Sequence, residues 1–386
     1  MRNRYSLHFT HYSKIIVKRL NNNKIMNTNE TPFESWGIIK NTKRPVVIAG
    51  PCSAETEEQV LTTARGLKEQ GIEIFRAGIW KPRTRPNSFE GVGSEGLTWL
   101  KRVKAETGLL TSTEVANFKH VYEALRAGVD ILWIGARTSA NPFAMQEIAD
   151  ALQGVDVPVL IKNPVNPDVE LWVGAVERIM GAGIKRVGVI HRGFSSFEKT
   201  RFRNVPQWQM AIEFRRRMPD LPMICDPSHI SGCTELLQEV SQKALDLNYD
   251  GLIVESHCNP KEAWSDAKQQ LTPEDLGKLL KSLVLRNVEI DQAQKETLDD
   301  LRLKIDKFDN DLLKTLDERM KVAEAIGQYK KEHNITILQP SRWDEIISKI
   351  VAKGAEHNLS AEFLSTVFKA IHQESINKQN RIMNEE

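Results

Sequence analysis

Two sets of side chains in this 386-residue sequence have the types and spacing to do chemistry. The first is cationic: Arg76, Lys81, Arg83, Arg137, Lys162 and Arg192. Arginine forks match phosphate and carboxylate with paired hydrogen bonds, and lysine acts as a point charge. If all six face one cleft of reduced dielectric they repel strongly, so a multiply anionic ligand must compensate them. The set exceeds the needs of one phosphate and fits two phosphorylated ligands, one also bearing a carboxylate. Part of it lies in Gly78–Phe89, "GIWKPRTRPNSF", where Pro82 and Pro86 fix φ and restrict the residues before them. Lys81, Arg83 and Arg85 are thereby held in a nearly preset geometry, which suits a small anion better than a polymer. The second set is Cys52, His229, Glu255 and Asp266: thiolate, imidazole and two carboxylates. Such a mixed set suits Mn, Fe, Co or Zn rather than Ca. In "IVESH" strand alternation puts Glu255 and His257 on one face, so spacing alone leaves His257 open as a ligand.

These residues fall at the ends of short β-rich runs that alternate with amphipathic stretches such as "TEEQVLTTARGLKEQ". The runs are "VVIAG" (46–50), "EIFRAGIW" (73–80), "GLLTSTEV" (108–115), "DILWIGAR" (130–137), "VPVLIKN" (157–163), "RVGVIHRG" (186–193), "PMICDPS" (222–228) and "GLIVESH" (251–257). Strand then helix, eight times over, predicts an α/β fold: a (β/α)8 TIM barrel. A doubly wound sheet is the alternative, but the turn after the first run, "AGPCSAETEEQ", lacks the glycine-rich dinucleotide fingerprint. Barrel enzymes carry their chemistry at the C-terminal strand ends. Here those ends hold Cys52, Arg76 with Lys81, Arg83 and Thr84, Glu114, Arg137, Lys162, Arg192, Asp226 with His229, and Glu255 with Asp266 beyond it.

The overall charge is +2, yet six basic residues and no acid precede Met26, so the rest of the chain is net negative. That is not the balance of a nucleic-acid-binding protein. No stretch of 18 apolar residues and no secretory signal is present, which predicts a soluble protein without membrane partners. Four cysteines without a C-x-x-C pair fit a reducing cytoplasm. Residues 1–35 are expected to be a disordered extension, with Met26 an alternative initiator.

In chain order, "AGPCS", Arg76 with "KPRT" from Lys81, "IGAR", the lysine of "LIKN", "HRG", "DPSH" and "LIVESH" with the later "SD" resemble the barrel motifs of the 3-deoxy-D-arabino-heptulosonate 7-phosphate (DAHP) synthases, in their short type I class. The octulosonate-phosphate synthases are the related rival, and Cys52 together with "KPRT" favours the heptulosonate enzyme. The resemblance spans residues 36–286 and implies condensation of phosphoenolpyruvate with erythrose 4-phosphate. It implies Cys52, His229, Glu255 and Asp266 as ligands of a divalent ion, Mn2+ first and Co2+, Fe2+ or Zn2+ as alternatives, with His257 not a ligand. It assigns phosphoenolpyruvate to Arg76, Lys81, Arg137, Lys162 and Arg192, and erythrose 4-phosphate to Arg83 and Thr84.

After "TPEDLGKLLKSL", a last barrel helix opened by Thr272 and Pro273, residues 287–295 read as a linker and 296–386 as a helical domain. Its first helix has a seam of Leu298, Leu301, Ile305, Phe308, Leu312, Leu316, Arg319, Ala323, Ile326 and Lys330, stepping by three or four. On the last segment Leu364, Val367, Phe368, Ile371, Ser375 and Gln379 share a face. Cations invading an apolar stripe want an anion. This tail resembles the all-helical, type II chorismate mutases. The resemblance implies a site of Arg302, Arg319, Lys330, Arg342, Ser375 and Gln379 in an interlocked homodimer, with Arg302 supplied by the partner chain. Trp343 and Gln339 depart from that family's common glutamate and aspartate.

The expectation is a bifunctional enzyme that makes DAHP and rearranges chorismate to prephenate, with prephenate or chorismate in the tail inhibiting the barrel. The alternative is a DAHP synthase carrying a non-catalytic dimerisation and sensing module.

Overall fold

The computed structural model describes residues 31–82, 88–286, 291–337 and 340–384, without the side chains of 340–344. The chain divides into two units, Met1–Glu289 and Ile290–Glu386.

In the first unit eight strands close into a parallel barrel: β1 Val46–Gly50, β2 Ile74–Arg76, β3 Leu110–Val115, β4 Ile131–Ile134, β5 Val159–Lys162, β6 Val187–His191, β7 Met223–Cys225 and β8 Gly251–Glu255. The register between β1 and β8 runs from Val46 opposite Gly251 to Gly50 opposite Glu255, which seals the cylinder. Around it lie α1 Glu57–Glu69, α2 Gly96–Thr107, α3 Phe118–Arg126, α4 Ala136–Ser139, α5 Pro142–Ala151, α6 Val169–Gly181, α7 Trp208–Arg217, α8 Pro227–Ser231, α9 Leu237–Asp246 and α10 Pro273–Ser282. Thr272 caps α10 by accepting the Asp275 N–H at 3.1 Å. Strands covered on both faces are largely apolar, as in β4, "ILWI", where every residue is buried; β3, "LTSTEV", departs, its Ser112 and Thr113 hydroxyls donating to the Phe75 and Ala77 carbonyls.

Two apolar cores result. One lies between strands and helices, and the other fills the cylinder with Ile48, Ile74, Ile131, Trp133, Leu160, Ile190, Ile224 and Ile253. The inner core is closed at the N-terminal strand ends by Phe33, Trp36 and Ile39. Residues 31–35 are therefore not a disordered extension. Pro32–Trp36 forms a 3-10 helix with both aromatics buried, and Arg186, just ahead of β6, donates to the Trp36 carbonyl at 3.0 Å. Each such ring contributes about 1.5–3 kcal/mol on burial, which outweighs the ordering of one short turn. Residues 1–30 lie outside the described part. With its bottom plugged, the barrel offers its C-terminal mouth to solvent. There Gly50, at φ +151°, lets β1 pass so close to β2 that any side chain would overlap the Arg76 carbonyl.

The second unit is α11 Gln292–Glu332, α12 Pro340–Ala355 and α13 Ala361–Asn384. The first of these helices starts inside the stretch read as a linker. A capping box explains it: Asp291 accepts the Gln294 N–H at 2.8 Å, and Gln294 Oε1 accepts the Asp291 N–H at 3.0 Å. Its C-terminal half packs on α13, burying Ala323, Gly327 and Lys330 on one side and Leu364, Ser375 and Gln379 on the other. Gly327 permits the approach, since a Cβ there would stand 3.0 Å from the Gln379 Cα. Along the N-terminal half the expected seam is bare. Leu298, Leu301, Ile305, Phe308 and Leu312 are all exposed, Phe308 at 71 %.

Candidate active sites

At the barrel mouth, Cys52 follows β1, Glu255 ends β8, and Asp266 lies in the loop after β8. Among the described residues, these three form a group whose donor atoms all lie within 4.8 Å of one another. Cys52 Sγ stands 3.2 Å from Asp266 Oδ2. Asp266 holds φ +49°, a left-handed conformation uncommon for a residue with a side chain. His229, on α8 after β7, is not in that mutual group, but its Nε2 reaches within 3.7 Å of Glu255 Oε1. Its Nδ1 faces Asp226 Oδ2 at 2.8 Å. His257 points elsewhere: its Nδ1 accepts the Asn259 N–H at 2.9 Å and its Nε2 meets Glu55 Oε2 at 3.2 Å.

The cations interleave with this group. Arg76 ends β2, 3 % exposed, with Nη2 3.4 Å from Glu255 Oε1 and its guanidinium 4.9 Å above the Trp133 ring. Lys81 Nζ donates to Cys52 Sγ at 2.6 Å and to Ser265 Oγ at 2.9 Å. Lys162 ends β5 and is ion-paired with Asp226 at 2.8 Å, both groups buried. Arg192 follows β6 and donates to Asn204 Oδ1 at 2.6 Å, while Asn204 Nδ2 donates to the His229 carbonyl. Arg137 opens α4 with an exposed side chain, and its charge acts on Arg192. Arg83 and Thr84 lie outside the described residues.

Burial dominates the electrostatics. It raises the Cys52 thiol to about 12, helped by the Glu255 carboxylate against Lys81. It lowers His229, favouring the neutral imidazole that a metal can bind, and lowers Arg192 to about 10. Burial also works against ionised Asp226 and Asp266, but neighbouring cations outweigh it. Lys162 and Arg76 hold Asp226 well below the usual carboxylate range, and Arg203 and Lys81 do the same for Asp266. Arg76 Nε and Nη1 and Glu255 Oε1 are buried without a hydrogen bond among the described residues. Unsatisfied buried polar atoms of both signs, side by side, mark a place built to meet a cation and an anion.

Several residues of this network stand apart from the expected ligands and anion contacts. Asp226 orients His229 and neutralises Lys162. Gln269 donates to Glu255 Oε2 at 2.6 Å and accepts from Arg203, which also reaches Asp266 at 3.1 Å. Asp226, in "DPSH", carried a visible strand-end signal; Gln269 and Arg203 did not.

The chain belongs to the DAHP synthetase I family. That family's model matches residues 24–291, and the chorismate mutase type II model matches residues 301–380. A phospho-2-dehydro-3-deoxyheptonate aldolase of Thermotoga maritima is 34 % identical over 259 residues, covering 67 % of this chain and 71 % of the relative. A 2-dehydro-3-deoxyphosphooctonate aldolase of Geobacter metallireducens is 30 % identical, covering 62 % and 92 %. A crystal structure of the Thermotoga maritima DAHP synthase superposes with a TM-score of 0.55 at 31 % identity over 61 % of this chain and 67 % of that one. A truncated form of the same organism's enzyme gives 0.53 at 29 % over 67 % and 87 %. The protein thus joins a DAHP synthase barrel to a chorismate mutase, two activities of aromatic biosynthesis. Among the described residues no helix is long and apolar enough to cross a membrane.

In the mutase unit, Arg319 Nη1 donates to Ser375 Oγ at 2.6 Å, and Lys330, 9 % exposed, donates to the Ile337 carbonyl at 2.6 Å. Gln379 Oε1 is buried without a hydrogen bond among the described residues. Arg302 is not gathered with them. It lies seventeen residues up α11, about 25 Å away along the axis, exposed and paired with Asp299 at 2.8 Å. Arg342 begins α12, and its side chain lies outside the described residues, as do Gln339 and the Trp343 side chain.

Proposed function

We propose that the synthase is metal-dependent and that Cys52, His229, Glu255 and Asp266 hold its divalent ion, Mn2+ in the first instance. The observation that carries this is the convergence of three donor atoms from separate segments within 4.8 Å, beside a buried carboxylate oxygen without a hydrogen bond. The donor set fits: two anionic carboxylates, a neutral imidazole oriented by Asp226, and a thiol that binding would deprotonate. An ion there supplies Lewis acidity toward the aldehyde of erythrose 4-phosphate.

The chain's own residues do the rest. Arg76, Lys81, Arg137, Lys162 and Arg192 bind phosphoenolpyruvate, whose two anionic groups answer the unsatisfied Arg76 nitrogens. Arg83 and Thr84 take the sugar phosphate. Holding both anions fixes the enol carbon beside the aldehyde carbon, replacing a collision with a near-attack geometry. As that bond forms, Lys81 Nζ gives a proton to the aldehyde oxygen. Water then adds at C2 of the former phosphoenolpyruvate, the proton it sheds returns to the Lys81 amine, and the C2–O bond to phosphate breaks to release inorganic phosphate and leave the ketone.

In the mutase unit, Arg319 and Arg342 with the partner chain's Arg302 bind the chorismate carboxylates. Lys330 and Gln379 hydrogen-bond the ether oxygen that gains charge as its bond breaks, and Ser375 orients Arg319. The acceleration is electrostatic, with no nucleophile. The exposed Leu298–Leu312 stripe is covered by a second copy of the chain, which makes the protein at least a dimer.

Prephenate or chorismate bound in the mutase unit inhibits DAHP formation through differential affinity for two arrangements of the chain. Adding excess prephenate to the full-length protein tests this: the synthase rate falls, and an unchanged rate defeats the coupling. Metal analysis of Cys52→Ala tests the first proposal. The variant loses bound ion and DAHP formation together; retention of both rules out the ligand set.

A further inference from the structure

The loop between β8 and α10 carries Asp266, and its hold on the barrel runs through a residue outside both sets above. Glu55, three positions after Cys52, is 5 % exposed and has both carboxylate oxygens engaged. Its Oε2 meets His257 Nε2 at 3.2 Å, and its Oε1 accepts the Trp264 N–H at 2.8 Å and the Ser53 hydroxyl at 3.3 Å. His257 opens the loop, and Trp264 closes it immediately before Ser265 and Asp266. One carboxylate therefore ties down both ends of an eight-residue span, His257 to Trp264.

Directly beyond Trp264 lie two residues of the reacting centre. Ser265, 4 % exposed, lies 2.6 Å from Ser53 Oγ and accepts from Lys81 Nζ at 2.9 Å. Asp266 is held at a positive φ that a flexible loop would abandon. Other anchors act beside it: the His257 N–H donates to the Leu271 carbonyl at 2.9 Å and the Cys258 N–H to Thr63 Oγ1 at 3.0 Å. Gln270 Nε2 donates to the Ser265 carbonyl at 2.8 Å, and the Arg203 contact to Asp266 comes from a side chain 43 % exposed and is weak in water. Glu55 is not itself a ligand, since both its oxygens are spent on His257, Trp264 and Ser53.

We propose that Glu55 is a positioning residue of the synthase, stapling the 257–264 loop so that Asp266 and Ser265 stand where the metal and Lys81 need them. This rests on the reading of Cys52, His229, Glu255 and Asp266 as a metal site. Partners that orient metal ligands typically cost 10–100-fold in affinity when removed.

The test is a Co2+ titration of the metal-free full-length chain, followed by the sulfur-to-cobalt charge-transfer absorption that Cys52 ligation gives. Glu55→Ala weakens Co2+ binding by about 10–100-fold. Glu55→Gln, which keeps an acceptor for the Trp264 N–H, weakens it less. Excess metal restores turnover in both, with KM for phosphoenolpyruvate rising by no more than about fivefold, because Arg76, Lys162 and Arg192 do not touch the loop and Lys81 reaches it only through Ser265. A folded Glu55→Ala with wild-type Co2+ affinity overturns the proposal, and so does a loss of turnover that metal does not restore. If Glu55→Ala does not fold, Glu55→Gln with unchanged affinity overturns it equally. A wild-type chain giving no such band, or one that survives Cys52→Ala, tells against the metal reading instead.

Discussion

At the barrel mouth, side chains from β2, β5 and β8 and from the segments after β1 and β7 are already paired with one another within one chain. Lys162 sits on Asp226, Arg76 on Glu255, and Lys81 on Cys52. In the helical unit, α11 and α13 bring Arg319, Lys330, Ser375 and Gln379 to one face, while Arg302 stays about 25 Å up the helix beside an uncovered apolar stripe. A closed barrel gathers residues from eight strand ends onto one rim, so one chain brings the described part of the proposed site together. A three-helix unit with one 41-residue member leaves a face of that helix bare among the described residues, and on the proposed reading its site is completed by a second copy.

The largest effects test whether the two sites are separate. Asp266→Ala lowers DAHP formation by on the order of a thousandfold or more, as loss of a Lewis-acid site should, and leaves chorismate rearrangement within about twofold. Arg319→Ala does the reverse, lowering the mutase rate by about 10²–10³. Steady-state assays of both reactions on each variant check this, and a variant that loses both rates breaks the contrast.

The barrel also carries an acid sensitivity of its own. His191 is fully buried, donates to the Pro206 carbonyl at 2.7 Å and accepts from the Tyr249 hydroxyl at 2.8 Å; burial lowers it to about 4. Between pH 6.5 and 4 the unfolded chain takes up a proton that the folded barrel refuses. The stabilisation is thus whole above pH 6.5 and lost as pH falls toward 4, worth about 3 kcal/mol. Chemical unfolding followed across that range shows the slope, and His191→Phe removes this part of it. An unchanged slope in the variant contradicts the assignment.

The smallest effect separates the two modes of construction. Neither Arg302→Ala nor Arg319→Ala alone supports the mutase reaction, but mixed chains form sites in which the intact Arg302 of one meets the intact Arg319 of the other. Unfolding and refolding them together restores about a quarter of wild-type mutase activity if the dimer is symmetric. No recovery places Arg302 in its own chain's site or outside any site.

Much of the barrel was legible because most strands are apolar runs and each leads into a reactive or charged residue, so pattern and chemistry fall together. Cys52, Arg76, Lys162, Glu255 and Asp266 could be read that way. Their supports could not, because Glu55 finds His257 and Trp264 about 200 positions away, and neither periodicity nor motif predicts that distance. Two misread boundaries had local signals. Asp291 with Gln294 is a capping box inside a polar stretch, and Phe33 and Trp36 behind Pro32 are a buried turn inside a basic-tailed leader. The α11 seam shows the other limit: a three-four repeat says that a face is apolar, not which molecule covers it.

The most direct test of the central claim is to treat the full-length protein with a chelator, measure both reactions in the same sample, and then add Mn2+ back. The account predicts that DAHP formation stops and returns with the ion while prephenate formation continues unchanged throughout. DAHP formation that persists in the stripped protein would contradict it.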